Sequence, residues 1–347
     1  MAELGHFALI LAFVLSSYAI PADLLGRSRG ITAVTMSGRS ATVGCFACLT
    51  VATAVLWLLL IRSDFNVAYV AEHTSGTPPL MNKIGALWAG AAGSLLFWLW
   101  MQSGFVALVF RKCKENQRGF SAGARPIANL VGVFFLIVLV FKKNPFSLSA
   151  SLPPGGAELG PVLGHPAMVL GSPIVLIGYA ALAIPFAWAF ASLKWDGEEE
   201  PVPLFGQARN WILLGWLFLT AGIVLAAWSA YQEPGSTGHW ARELAKNASL
   251  LPWLTGAAML YCSRTCGRNT SVASRLTILC LVTYSLCILS TFLARPGWAC
   301  DMCAFPDPAL GRLFVVLLIH IWVASAILLW RKHKRRQVPQ HKGDAAQ

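Results

Sequence analysis

Two short clusters carry side chains able to do chemistry. Residues 238–254 read GHWARELAKNASLLPWL and set His239, Trp240, Arg242, Glu243 and Lys246 within eight residues. An imidazole there can move a proton or hold a metal, and an arginine can stack on an aromatic face or grip a carboxylate. The bland alternative is an ion pair of Arg242 with Glu243 or Glu233, worth little if exposed. The second cluster is Cys300 and Cys303 in CDMC. Three readings stay open for it: a structural disulfide or two idle thiols, a thiol–disulfide redox pair, and a thiolate ligand at Cys303. A reactive thiolate needs a nearby cation, and Arg295 is the neighbouring one in sequence, with Asp301 opposing it. His73 and His165 stand in other polar segments, while His320, in LLIHIWV, stands in an apolar one.

The elements that must position these groups are membrane helices. Of 347 residues, 56% are hydrophobic and 12% charged, too little charge to cover a soluble surface. Charge-free windows such as 41–61 match the roughly 20 residues that a bilayer core asks of a helix. Nine spans are expected, near 4–20, 41–61, 84–110, 127–141, 168–192, 211–231, 248–262, 276–293 and 313–330. The segments 127–141 and 248–262 are short enough to be half-inserted. The first span is read as a retained helix, since the leader MAEL is acidic where a secretory signal is basic. Segment 62–83, with alternating Phe65, Val67 and Tyr69 and the pair Pro78–Pro79, reads as an extended surface stretch.

The net charge of +12 follows from topology and does not point to nucleic acid. One alternate set of loops, 21–40, 111–126, 194–210, 263–275 and 331–347, holds 19 of the 27 basic residues. Positive loops stay cytoplasmic, so the N-terminus is expected outside and the basic tail 331–347 inside. The remaining residues, 1–330, form one transmembrane domain. Both chemical clusters, with His73 and His165, then fall on the outer side. Phosphate loops, zinc-type histidine pairs and nucleophile elbows are absent from the sequence. Few ionisable groups are expected inside the membrane, which argues against a small-solute transporter. His320 is the exception in mid-span, read as either functional or a satisfied bundle-facing histidine.

Seven stretches in register resemble the CcmF family of cytochrome c biogenesis proteins. They are LGHFALILAFVLSSY, FNVAYVAEHTSGTPPL with ALWAGAAGSLLFW, NPFS, IGYAALAIPFAWAFASL, GIVLAAWSAY, KNASLLPWLTGAAMLY and STFLARPGWACDMCAFPDPALGRLF. The resemblance runs from residue 4 to about 330 and covers only the N-terminal half of a full-length family member. It implies an all-α polytopic bundle in a bacterial cytoplasmic or mitochondrial inner membrane. It also implies a module that handles haem on the outer face and joins it to the CxxCH motifs of apocytochrome c. The expected partners are other maturation proteins, including a chain that supplies the missing half.

The family's working groups are exchanged in this sequence. Its tryptophan-rich loop, read as W-G-x-x-W-x-W-D-P-x-E-N, aligns with 236–247, where Trp240 and Asn247 remain and Arg242 replaces a tryptophan. Gly171 stands where an outward haem-ligand histidine is expected, and Cys303 where the second one is. Tyr261 replaces an axial histidine of the membrane haem. Ala91 and Ala92 replace the polar pair of WGxxEGSLLLW, while Gly93, Ser94 and Trp98 persist. A glycine offers iron no donor, so bis-histidine binding at these positions is not expected. Haem contact is expected through Trp240, His239, Arg242, Arg295 and Cys303. CDMC lacks the histidine of a haem-attachment motif, so the chain is not a c-type cytochrome. The alternative is a haem-free scaffold or assembly subunit of a respiratory complex.

Overall fold

The computed structural model describes residues 1–74, 79–111, 118–148, 166–194, 202–232, 248–265, 270–293 and 308–337. Its helices are α1 (Ala2–Ser28), α2 (Thr32–Arg62), α3 (Ala68–His73), α4 (Leu80–Ala89), α5 (Ala91–Arg111) and α6 (Arg118–Ile137). They continue as α7 (Pro166–Lys194), α8 (Val202–Gln232), α9 (Leu250–Thr265), α10 (Thr270–Leu293) and α11 (Pro308–Gln337). Among the described residues, eight helices are long and apolar enough to cross a membrane.

The ninth expected span is α9, whose 16 residues reach about 24 Å, short of a ~30 Å core. Its direction is nevertheless that of a crossing helix. Trp253 Nε1 donates to Thr220 Oγ1 at 2.8 Å, and one turn on, Gly256 packs against Trp216. At the start of α9, Ala248 O accepts from Ser290 Oγ near the end of α10 at 2.6 Å. Helix α9 therefore runs antiparallel to both neighbours.

Four expectations need correction. The segment 127–141 belongs to α6, which closes in a π turn over Val138–Lys142; with it, a full-length span is formed, not a half-insertion. The span 84–110 is two helices broken at Gly90. Segment 62–74 is not wholly extended: Ala68–His73 is helical and buries Tyr69, Val70 and Ala71. One strand-like feature survives there, a bridge of Val67 to Leu148.

The predicted loop 21–40 is also mostly helix. A turn of three residues joins α1 to α2: Gly30 takes φ +66°, Ile31 N–H bonds Gly26 O at 2.8 Å, and Gly30 N–H bonds Arg27 O. This glycine-terminated cap satisfies the last carbonyls of α1. The two helices then pack as a hairpin, with Gly26 against Thr35 and Gly38 against Asp23. A second hairpin, α7 with α8, closes on glycines from both sides. Gly178 meets the Gly215 carbonyl, and Gly222 meets Val175. Small residues suit membrane interfaces because backbones can then approach and gain dispersion contact.

Helix α7 lies at the centre, with 78% of its membrane window buried, against 22% for α8 and 17% for α11 at the periphery. The bundle has two distinct ends. One gathers Arg27, Arg39, Arg111 and Lys332, where Arg39 donates to Arg111 O and Lys332 Nζ to Ser192 O. The other brings the N-terminus, residues 62–74 and 143–148 together through His6 with Asn144 and Ala68 N–H with Ser147 O. These ends match the basic and less basic loop sets of the sequence.

Candidate functional site

His239, Trp240, Arg242, Arg295, Cys300 and Cys303 lie outside the described residues, as does His165. The described part of the predicted outer end is the knot where α3 meets the α4–α5 break. Tyr69 organises it. Its hydroxyl lies 2.9 Å from Ala86 O and 2.8 Å from Leu87 O, and it accepts from Gly90 N–H at 3.2 Å. One phenol thus satisfies carbonyls ending α4 and a donor opening α5, groups that a helix break otherwise orphans. Ser94 Oγ lies 2.8 Å from Trp88 O and 2.7 Å from Gly90 O, bridging the same break.

His73 stacks on Tyr69 with centroids 4.3 Å apart and an interplanar angle of 19°. Its Nδ1 lies 2.9 Å from Tyr69 O. A carbonyl only accepts, so the neutral ring carries its proton on Nδ1. Nε2 rests against Gly90, where a Cβ would collide with it. Burial holds this imidazole below its ordinary value, opposed by the bond to Tyr69 O and by Glu72. Nδ1 is thus committed to Tyr69 O, while Nε2 packs beside Gly90.

The same contacts explain the glycines of WAGAAGS. A Cβ at Gly93 would run into Leu87 O and the Tyr69 hydroxyl. These positions are dictated by backbone approach, not by ligand chemistry. Ala91 and Ala92 are buried at the start of α5, where they supply volume and no donor.

Two of the positions that the resemblance aligns with iron ligands are among the described residues. Gly171 is buried, and a Cβ there would meet Ala226 N and Gly222 O at 3.8 Å and Leu225 at 4.0 Å. The position therefore faces the backbone of α8, within the glycine seam. Tyr261 is 71% exposed, on the outer stripe of α9 with Leu251 and Leu254. One position packs against a neighbouring helix, and the other is turned away from the described bundle.

The interior between α5, α6, α7 and α10 is filled by rings. Trp98 stands 4.7 Å from Phe135 and 5.6 Å from Tyr179, and Tyr284 stands 4.7 Å from Phe186. Tyr284 OH donates to buried Gln102 Oε1 at 2.7 Å. Trp98 Nε1 is buried without a conventional partner. Among the described residues, no three His, Cys, Asp or Glu side chains are grouped to hold a metal.

Sequence reading missed a buried polar column at the basic end. Arg125 Nε donates to Asp23 Oδ2 at 2.7 Å, its Nη2 pairs with Oδ1, and Nη2 also donates to Thr35 O at 3.1 Å. One level up, Asn129 Nδ2 donates to Thr42 Oγ1 at 3.0 Å, and Ser16 Oγ to Asn129 O at 3.3 Å. The signal was present in the sequence. Ala12, Ser16, Ala19 and Asp23 recur at helical spacing, all buried, so Asp23 extends the buried stripe. The expected span 4–20 stopped short of it, whereas α1 runs on to Ser28.

Comparison with known proteins places this architecture. Residues 88–298 match the family described as cytochrome C assembly protein. The "Cytochrome c-type biogenesis protein CcmF" of Haemophilus influenzae is 31% identical, over 95% of this chain and 51% of that protein. The protein of the same description from Escherichia coli is 32% identical, over 97% of this chain and 52% of its own. A solved structure, "Cytochrome c Heme Lyase CcmF", superposes with a TM-score of 0.80 at 25% identity, over 95% of this chain and 51% of that one. The chain thus spans about half the length of the relatives it matches.

Proposed function

Because the chain belongs to the cytochrome C assembly protein family, we propose that it is a membrane-embedded component of cytochrome c biogenesis. It works in the bacterial cytoplasmic membrane, in the company of the bacterial proteins it resembles. Its role is that of one subunit of a divergent haem-ligation machine, with apocytochrome c as the substrate on the outer face. A second chain supplies the other half of the family fold and the iron ligands.

The observation that carries this reading is a frame kept over 95% of the chain while Gly171, which the resemblance aligns with a ligand, is given to packing. Gly171 closes the α7–α8 seam, so the chain contributes shape and docking surface rather than bis-histidine ligation. Haem contact falls to the outer loops, through Trp240, His239, Arg242, Arg295 and Cys303. There Arg242 and Arg295 pair with carboxylate groups, and Trp240 offers a flat apolar face. The knot at Tyr69 and His73 holds the neighbouring outer surface in one shape.

The second reading, a haem-free scaffold that assembles or stabilises a respiratory complex, draws on the same two exchanges at Gly171 and Tyr261. Two measurements separate them: the visible spectrum of the protein purified alone and with its membrane partners, and the c-type cytochrome content of a deletion strain. The biogenesis reading expects loss of c-type cytochromes on deletion, their return on complementation, and a Soret band in the complex. Undiminished cytochromes with no Soret band in either sample would leave the scaffold.

A further inference from the structure

Helix α11 carries an imidazole where hydrocarbon should be. His320 is exposed and lies 12 residues before Lys332, whose ammonium bonds Ser192 O at the basic end. At 1.5 Å per residue that is roughly 18 Å into a core of about 30 Å. The helix meets the bundle along Phe314, Ile321 and Ser325, which are buried. His320 falls on another face, flanked by Val316, Val323 and Ile327, which are 48%, 52% and 46% exposed.

Its protonation pattern is fixed locally. His320 Nδ1 lies 2.7 Å from Val316 O, and a carbonyl can only accept, so the proton sits on Nδ1. The Nε2 lone pair is then on the far side of the ring from the helix. Lipid tails offer no donor to satisfy it, and polar groups inside membranes face other protein.

We propose that the Val316, His320, Val323 and Ile327 face of α11 docks a transmembrane helix of a partner chain, which donates a hydrogen bond to His320 Nε2. The proposal rests on the reading above that this chain works with a second one. A second copy of α11 does not meet the need through this residue, since it brings the same bare acceptor. The chain spans about half the length of the relatives it matches, which leaves room in the family fold for such a partner. The β-branched flanks leave a shallow surface on which a helix can seat closely.

The test places p-benzoylphenylalanine at Val323 or Ile327 of the tagged full chain, in its native membranes, with Leu217 on the exposed side of α8 as control. Irradiation is expected to yield one defined adduct with a different polytopic chain from the first two sites and none from Leu217. His320→Leu should cut its yield about 3- to 15-fold, the range of one interhelical hydrogen bond. His320→Gln, which keeps an acceptor, should restore most of it, with all variants melting alike in detergent. Lipid adducts alone, an adduct with a second tagged copy, or a yield indifferent to His320→Leu would overturn the proposal. A Soret band abolished by His320→Leu would also overturn it, by assigning the lone pair to iron. If the adduct forms but deletion spares c-type cytochromes, the docking face stands and the biogenesis reading falls.

Discussion

Removing one partner of the Asp23–Arg125 pair should cost far more than removing both. The two side chains are 0% and 4% exposed and held by two parallel contacts, with Thr35 O taking a further proton of the guanidinium. Arg125→Ala leaves a carboxylate buried among α1, α2 and α6 with no counter-charge. Stranded charges of this kind cost about 3–5 kcal/mol, whereas apolar replacement of a whole buried pair is often neutral. At 1.4 kcal/mol per tenfold, that is roughly 10²- to 10³·⁵-fold in the unfolding equilibrium. The double variant Asp23→Leu/Arg125→Leu should regain most of it, less the bond to Thr35 O, worth about 1 kcal/mol. The assay is SDS-driven unfolding in bicelles, followed by the fluorescence of the fourteen tryptophans. The reasoning is refuted if either single variant stays within about 0.5 kcal/mol of the parent, or if the double variant is no better than the worse single one.

Three further outcomes are expected. Gly93→Ala should destabilise by about 1–3 kcal/mol through overpacking, since its Cβ meets Leu87 O and the Tyr69 hydroxyl. Gly132→Ala, whose Cβ finds Leu99 at 3.5 Å and Ser16 at 3.7 Å, should be tolerated, and the difference is read in the same titration. Because burial lowers the His73 pKa in the fold, the unfolded chain binds the extra proton first. Stability is then full above about pH 6.5, the ordinary imidazole value, and falls on acidification below it. His73→Gln should flatten that slope between pH 7.5 and 5. Gly171→His should lower the melting temperature without creating a Soret band in the chain purified alone, whereas Gly171→Ala should melt near the parent, because a Cβ there meets only ordinary contacts at 3.8–4.0 Å while an imidazole reaches further into the α8 backbone.

The sequence by itself determined the membrane architecture. Long apolar windows have no other stable home, and basic residues gather in alternate loops for electrostatic reasons, so the helical class, most of the spans and the two ends were legible. The family was legible too, because seven stretches keep their order. What the sequence left undecided was which distant residues meet. Gly171 is a bare glycine in one dimension and a helix contact in three, since only packing against α8 reveals where a side chain there would go. Tyr69 looked like one step of an alternating surface strand, yet its hydroxyl closes the α4–α5 break seventeen to twenty-one residues away. Asp23 and Arg125 read as loop charges until helices 102 residues apart brought them together in a place with no water. Hydropathy and helical period are local sums over neighbouring residues and survive in one dimension. Pairing, burial and accessible lone pairs depend on distant segments meeting, and only the fold decides that.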